Sequence, residues 1–446
     1  MGRSDPYQDR ARELCQEAGI DPDSRIGEGR GRPAWCDFRS EARREHNEQE
    51  QREAALKIAA VQSQDAQYAN SPLKIFGKHE PETIGQMHTC MLLGNVVGGV
   101  ICADGHLGYA QPVGGVIAYE NQISISGVGF DIGCGNMAVR LDTKYSAIRD
   151  KIAIIAKDIS ETISFGVGRK NAERAEHELF DDEEAWKAAG TNNYKADARA
   201  QLGTVGSGNH YVDLMRDHED FVWIGVHFGS RGLGHKSATK YLRLAGGKDG
   251  VNVPPAVVDL DKEIGERYLA AMTLAGRYAY AGREWVVERV RKIIGGSVTE
   301  SIHNHHNYAW KENHGGRDLY VVRKGATPAF PGQRGFVGGS MGDDAVIIEG
   351  VDSDLAKQSF YSSIHGAGRL FGRKAAKRTF QRSQMDQWLQ DRGVLLIGAD
   401  LDESPMAYRR LPDVLAEHAG TIKVLHTLRP FVVVMAGAKE FDPFKD

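Results

Sequence analysis

Cysteine is scarce in this chain: five residues, at positions 15, 36, 90, 102 and 134, among 446. So small and odd a number makes no disulfide framework, and the usage fits a reducing, cytoplasmic setting with thiols left for packing or metal. Long apolar runs are missing too. No stretch reaches the roughly 18 residues of a membrane span, and the opening MGRSDPYQDRARELCQE has no apolar segment of secretory type. Nor is there a surplus of positive charge. Lys and Arg number 56 against 60 Asp and Glu, a net −4, so any nucleic-acid contact must be a local patch. What is there, 41% hydrophobic and 26% charged residues, describes a globular protein and excludes global disorder. The length favours one large domain or two to three modest ones.

Residues 1–70 read as a charged, partly helical N-terminal extension. Within it, SEARREHNEQEQREAALKIAA reads as an exposed helix opened by Ser40. From about residue 74 short apolar runs alternate with glycine turns: 95–101, 221–229, 319–325, 345–350, 394–401 and 430–437. Such runs predict buried strands whose polar exits are loops at sheet edges. Between them a helical insertion is expected at about 259–294, with Val286, Val290 and Ile293 on one face. The stretch 180–200 reads as polar surface. The fold class is α+β, a mixed body around a central sheet over 71–437, with 438–446 as a short tail.

Glycine is abundant, 52 residues, and five segments, four of them glycine-rich, carry metal-type side chains. GVGFDIGCGN sets Asp131 and Cys134 three apart in a turn, either a ligand pair for one or two divalent ions or a buried thiol beside a turn-forming acid. GTVGSGNHYVDL presents Asn209 and His210, and WIGVHFGSRGLGH places His227 at a strand exit. SIHNHHNYAW holds His303, His305 and His306, of which one or two at most point the same way in a strand. In SIHGAGR, His365 precedes a Gly-Ala-Gly turn whose amides are free to approach phosphate oxygens. GSRGLGHKS is not a Walker A loop, because His235 interrupts the required Gly-Lys-Ser. Thiolate, imidazole and carboxylate together suit Mn, Zn, Fe or Co rather than Mg or Ca. A two-metal site of this kind holds a phosphoryl group and activates a nucleophile.

DGHLGYAQPVGGV, GVGFDIGCG, GSGNHYVDL, HFGSRGLGH, HHNYAW, RKGATPAFPGQ, GSMG, HGAGR and ESPMAY stand in the order found in the RtcB family of RNA ligases, which this chain resembles from about 74 to 437. The resemblance implies an RtcB-like α+β fold with mixed β-sheets around a metal pocket. It also implies an enzyme that uses two Mn2+ ions and GTP to join RNA bearing a 3′-phosphate or 2′,3′-cyclic phosphate to RNA with a 5′-hydroxyl. Such joining serves tRNA splicing or RNA repair. By position, Cys134 resembles the thiolate bridging both ions, His210 and His227 complete one site, and Asp131 and His306 the other. His365 resembles the nucleophile that carries GMP. Asn209, His210, Asp213, His306, Asn307, Gly339, Ser340, Met341, Gly366, Ala367 and Gly368 stand where the family contacts the nucleotide.

The run RLFGRKAAKRTFQR offers Arg369, Arg373, Lys374, Lys377, Arg378 and Arg382 as a local phosphate-binding patch or a solvated helix face, with Arg323 and Lys324 as further candidates. On the base side the chain departs from the family. Met435 stands where a terminal lysine aligns, with Lys439 four residues on, Asp213 replaces a common glutamate, and Ala345 a serine. These departures read either as intact phosphoryl chemistry with a weakened or altered base preference, or as a base contact that the extended tail supplies by another route. The rival functions are an RNA-end-binding or regulatory paralogue and a metal-dependent cyclic phosphodiesterase. The physiological RNA and any activating protein partner stay open.

Overall fold

The computed structural model describes residues 7–26, 32–42, 45, 71–438 and 440. The chain divides into two compact units, 1–64 and 65–446. In the first, helix α1 (Gln8–Glu17) turns Ala11 and Leu14 onto Ala42, with Trp35 and Phe38 packed alongside. Residues 39–42 are helical, so Ser40 lies inside a helix rather than capping it. Most of the helix expected beyond it falls outside the described residues, as does Lys439.

The second unit is built on two sheets. Its strands, in chain order, are β1 (Leu73–Ile75), β2 (Val96–His106), β3 (Val113–Tyr119), β4 (Gly135–Lys144), β5 (Tyr211–Arg216), β6 (Phe221–Phe228) and β7 (Val298–His305). They continue with β8 (Asn307–His314), β9 (Arg317–Lys324), β10 (Arg334–Val337), β11 (Ala345–Gly350), β12 (Leu395–Ala399) and β13 (Ile422–Gly437). The larger sheet runs β7-β4-β6-β5-β13-β11-β10, with β12 parallel beside β13; the smaller runs β8-β9-β3-β2-β1 and is parallel only between β1 and β2. Each apolar run read from the sequence becomes one of these strands. Both sheets are mixed, and the fold is α+β.

The chain crosses between the sheets at two points that matter. After β3 it leaves the smaller sheet and reaches β4 through the turn that contains Asp131 and Cys134. It returns directly from β7 to β8, with His306 as the single residue between them. Strands that end at a crossing leave polar side chains at a sheet edge, facing the space between the layers.

Helix α2 (Pro81–Met91) begins with proline at its first position, where no amide partner is needed. Helix α3 (Arg231–Leu244) follows β6. Helix α4 (Glu263–Ile294) has Glu263 and Glu266 in its first turn and Arg291 and Lys292 in its last, and it stops at Gly295 with φ +86°. That charge order complements the helix dipole, and the glycine takes the left-handed exit. The helix is not an insertion. Tyr268, Met272, Leu274 and Tyr278 join one apolar core, and Val286, Val287 and Val290 join the core behind β4, β5 and β6. The stretch 180–200 is surface on its polar side, as expected, but not throughout. Phe180 and Trp186 are fully buried in the same core as Tyr278, because short helices at Glu183–Ala188 and Lys195–Gln201 turn their few apolar residues inward.

Candidate functional site

Between the sheets lies a cavity of about 680 Å³, lined by Asp131, Cys134, Asn209, His210, Asp213, His227, His306, His365 and the glycine turns at 338–339 and 366–368. Segments from six places in the sequence therefore meet in one space. Register explains part of this. His227 lies opposite Asn136 on β4 and opposite Tyr211 on β5, which sets the β6 exit beside both the Cys134 turn and His210. His306 is fixed by its own amide, which donates to Cys134 O at 2.8 Å.

The imidazoles form a chain. Ring centroids lie 5.4 Å apart for His210 and His227, 5.1 Å for His227 and His306, and 4.9 Å for His306 and His365. Cys134 Sγ sits 3.7 Å from His210 Nε2 and 3.8 Å from His227 Nε2. Two ligand trios emerge, Cys134 with His227 and His306, and Cys134 with Asp131 and His210, each with its donor atoms within 4.8 Å of one another. Cys134 belongs to both, so its sulfur is placed to serve two ions if they bind. The carboxylate keeps company with His210, whose Nε2 is 3.1 Å from Asp131 Oδ2, rather than with His306.

The donors fit a transition-metal pair. His227 Nδ1 donates to Asn136 Oδ1 at 2.7 Å, which fixes the tautomer and turns the Nε2 lone pair toward the sulfur. His306 Nδ1 is buried without a hydrogen-bond partner, an orphaned donor atom that a cation satisfies. Burial works to raise the Asp131 carboxyl, yet the hydrogen bond and charge of His210 outweigh it and hold it at about 2. Burial and the neighbouring Asp131 push the Cys134 thiol up, so ligation has to expel its proton.

His365 is held by a residue not singled out from the sequence. Asp104, completely buried at the end of β2, places Oδ2 2.6 Å from His365 Nδ1 and also accepts the amides of His365 at 2.9 Å and Gly366 at 3.2 Å. With the proton on Nδ1, the lone pair of Nε2 is free. Gly368 is required beside it: φ is +78°, and a Cβ there would stand 2.4 Å from Asp104 O. The only signal in the sequence was an acid at the polar exit of an apolar run, within DGHLGY.

Other expectations met different fates. Gly339, Met341, Gly366, Ala367 and Gly368 line the cavity, and so do Asp213 and Met435 on adjacent strands. Burial pushes the Asp213 carboxyl well up, and its Oδ1 has no partner. Asn209 lies within 3.4 Å of His227. Asn307 and Ser340 line the cavity as well, the Asn307 side chain accepting from Gly325 N at 2.7 Å and Ser340 Oγ donating to Asp343 at 2.9 Å. Ala345 does not reach the cavity. It packs with Met215, Trp223 and Phe336, because alternation along β11 turns it into that core. His303 and His305 face Arg283 and Tyr280 instead of the metal-type cluster.

The basic run is mostly neutralised from within. Arg369 pairs with Glu403 at 3.3 Å, Arg373 with Asp402 at 2.9 Å and with Glu403, Lys377 with Asp400 at 2.6 Å, and Arg382 with Asp386 at 2.7 Å. Of the six, Lys374 and Arg378 are exposed and carry no such pairing among the described residues. Arg323 is also not a phosphate contact. It is wholly buried and bound to Glu312 at 2.6 Å. Lys324 does line the cavity, donating to Tyr109 O at 2.5 Å, and burial lowers its ammonium to about 8.

Comparison with known proteins accords with this picture. A family model described as tRNA-splicing ligase RtcB matches residues 86–436. The RNA-splicing ligase RtcB of Escherichia coli K12 is 31% identical over 371 residues, covering 75% of this chain and 89% of its own length. The tRNA-splicing ligase RtcB of Thermococcus kodakarensis is 32% identical over 430 residues, covering 78% and 89%. That of Nanoarchaeum equitans is 29% identical over 455 residues, covering 82% and 95%. No described helix is long and apolar enough to cross a membrane.

Proposed function

This chain belongs to the RtcB family and is by homology an RNA-splicing ligase, and from that footing we propose that it seals RNA with a 3′-phosphate or 2′,3′-cyclic phosphate to RNA with a 5′-hydroxyl through a nucleotide carried on His365. The observation that bears most weight is the meeting of the Asp104-held imidazole with Cys134, Asp131 and three further imidazoles in one cavity.

Two divalent ions of the Mn2+ type, held by Asp131, Cys134, His210, His227 and His306, supply charge neutralisation where a triphosphate reacts. His365 Nε2 attacks the α-phosphorus of GTP. A P–N bond forms, the bond to the bridging oxygen breaks and pyrophosphate leaves. The 366–368 turn lines the same cavity, and its Ala367 and Gly368 amides, unlike that of Gly366, which donates to Asp104, suit the developing phosphoryl charge. Asp104 keeps the Nδ1 proton in place while charge builds on the ring. An oxygen of the RNA 3′-phosphate then takes GMP and frees His365. The 5′-hydroxyl attacks the 3′-phosphorus, the phosphodiester forms and GMP departs. A cyclic phosphate is first opened by water.

Base preference is a separate part of the reading. Asp213 and Met435 on the cavity wall, with a carboxyl that burial favours as the neutral acid, support weakened selection of guanine. The test supplies Mn2+, GTP and two RNA halves with the stated ends. A joined strand is expected, lost in His365→Ala and in Cys134→Ala. Opening of the cyclic phosphate without joining would instead assign a phosphodiesterase.

A further inference from the structure

Helix α4 passes behind the ligand cluster, and one of its side chains touches three of the four segments that deliver it. Arg283 is completely buried and has no carboxylate partner among the described residues. Its Nη1 donates to Gly133 O at 3.0 Å and to Phe228 O at 2.6 Å, its Nε to His303 Nε2 at 2.8 Å, and its Nη2 lies 3.0 Å from His305 Nδ1. Gly133 precedes Cys134, Phe228 follows His227, and His305 precedes His306. A buried guanidinium without a counter-charge is costly unless its donors are used; here four contacts engage it, three of them one residue away from a ligand.

The helix is shaped for that approach. Gly133 has φ +70°, and a Cβ on it would meet Ala279 Cβ at 3.2 Å and Gly276 Cα at 3.2 Å. A Cβ on Gly276 would fall 2.8 Å from the Tyr308 ring. Small residues at 276 and 279 thus let α4 lie against the Cys134 turn while Arg283 reaches both sheets.

We propose that Arg283 is a positioning residue that locks the Cys134 turn, the β6 exit and the β7–β8 crossing into one arrangement, and so sets the affinity and geometry of the metal pair. This rests on reading Asp131, Cys134, His210, His227 and His306 as that pair's ligands. A lysine keeps the charge but loses the planar fork, so it cannot hold all three segments.

The test titrates the metal-free full-length protein with Co2+, following the thiolate-to-cobalt charge-transfer band and the visible ligand-field bands, with circular dichroism as the fold control. Arg283→Lys is expected to bind about 10- to 100-fold more weakly with a weakened or shifted charge-transfer band. His303→Phe, which removes one acceptor of the fork and keeps a ring against Tyr280, is expected to change the same band by less. Wild-type affinity and spectrum in a folded Arg283→Lys would overturn the proposal. If that variant does not fold, an unchanged band in His303→Phe overturns it. Failure of the wild-type protein to bind Co2+ would sink the two-metal reading itself, an outcome distinct from equal binding by all three proteins.

Discussion

Asp104 Oδ2 lies 2.6 Å from Nδ1 of His365, and the carboxylate has no exposure through which water could replace it. Asp104→Asn presents an amide of similar size that favours the wrong tautomer. Nucleotide transfer to His365 is expected to slow by roughly 10²- to 10⁴-fold while the melting temperature moves little. Single-turnover labelling with α-labelled GTP, beside a thermal melt, checks this. The six residues carrying the proposed chemistry were legible because each stands at a strand end, five of them in glycine-rich turns and His306 in a histidine cluster. Asp104 was not, although it lies within one of the telling motifs, because its role depends on a partner 261 positions away in the chain. Ala345 shows the opposite failure: its place beside GSMG suggested the pocket, and strand alternation decided otherwise.

At the scale of elements, the 369–382 run and the acidic 400–403 segment brace each other through Arg369, Arg373 and Lys377. A charge count along the chain sees cations and cannot see which carboxylates return to meet them. Two unpaired cations leave a modest phosphate contact. Replacing both Lys374 and Arg378 with alanine is expected to lower the slope of log affinity for single-stranded RNA against log salt by about 1.4, measured by fluorescence anisotropy. The 180–200 stretch was misread in part for a related reason: its polar residues outnumber the apolar ones, yet Trp186 is fully buried, its Nε1 donating to Leu179 O at 2.8 Å. Trp186→Ala is expected to cost about 3–5 kcal/mol, read from urea unfolding. Strands were legible where Val- and Ile-rich runs are bounded by glycine, as at β2, β6, β9, β11, β12 and β13, and not at β1, β3, β4, β5, β7, β8 and β10, whose residues form no such run among those read.

For the molecule as a whole, acid sensitivity follows from histidines buried as neutral rings outside the ligand set. His418 is one. Burial lowers it to about 4, its Nε2 accepts the Ala103 amide at 3.1 Å, and its ring stacks on Phe76. Because its pKa is lowered on folding, the unfolded chain binds the proton first as pH falls below about 6.5. Stability is therefore complete above that value and declines toward pH 4, by about 2 kcal/mol between pH 7.5 and 5 from this residue. His418→Gln should flatten that part of the dependence in urea melts at the two pH values. His106, also lowered to about 4 by burial, adds in the same direction. The arrangement of both sheets around one cavity has its reason in the two crossings at Asp131–Cys134 and His306, and the proposed ligase reaction depends on His365 accepting a nucleotide there. Intact-mass and peptide analysis after incubation with Mn2+ and each of the four NTPs tests that most directly. The expected result is a single nucleotide on His365, lost in acid and stable in alkali as a phosphoramidate is, formed from more than GTP alone. No adduct with any NTP, or an adduct at another residue, would contradict it.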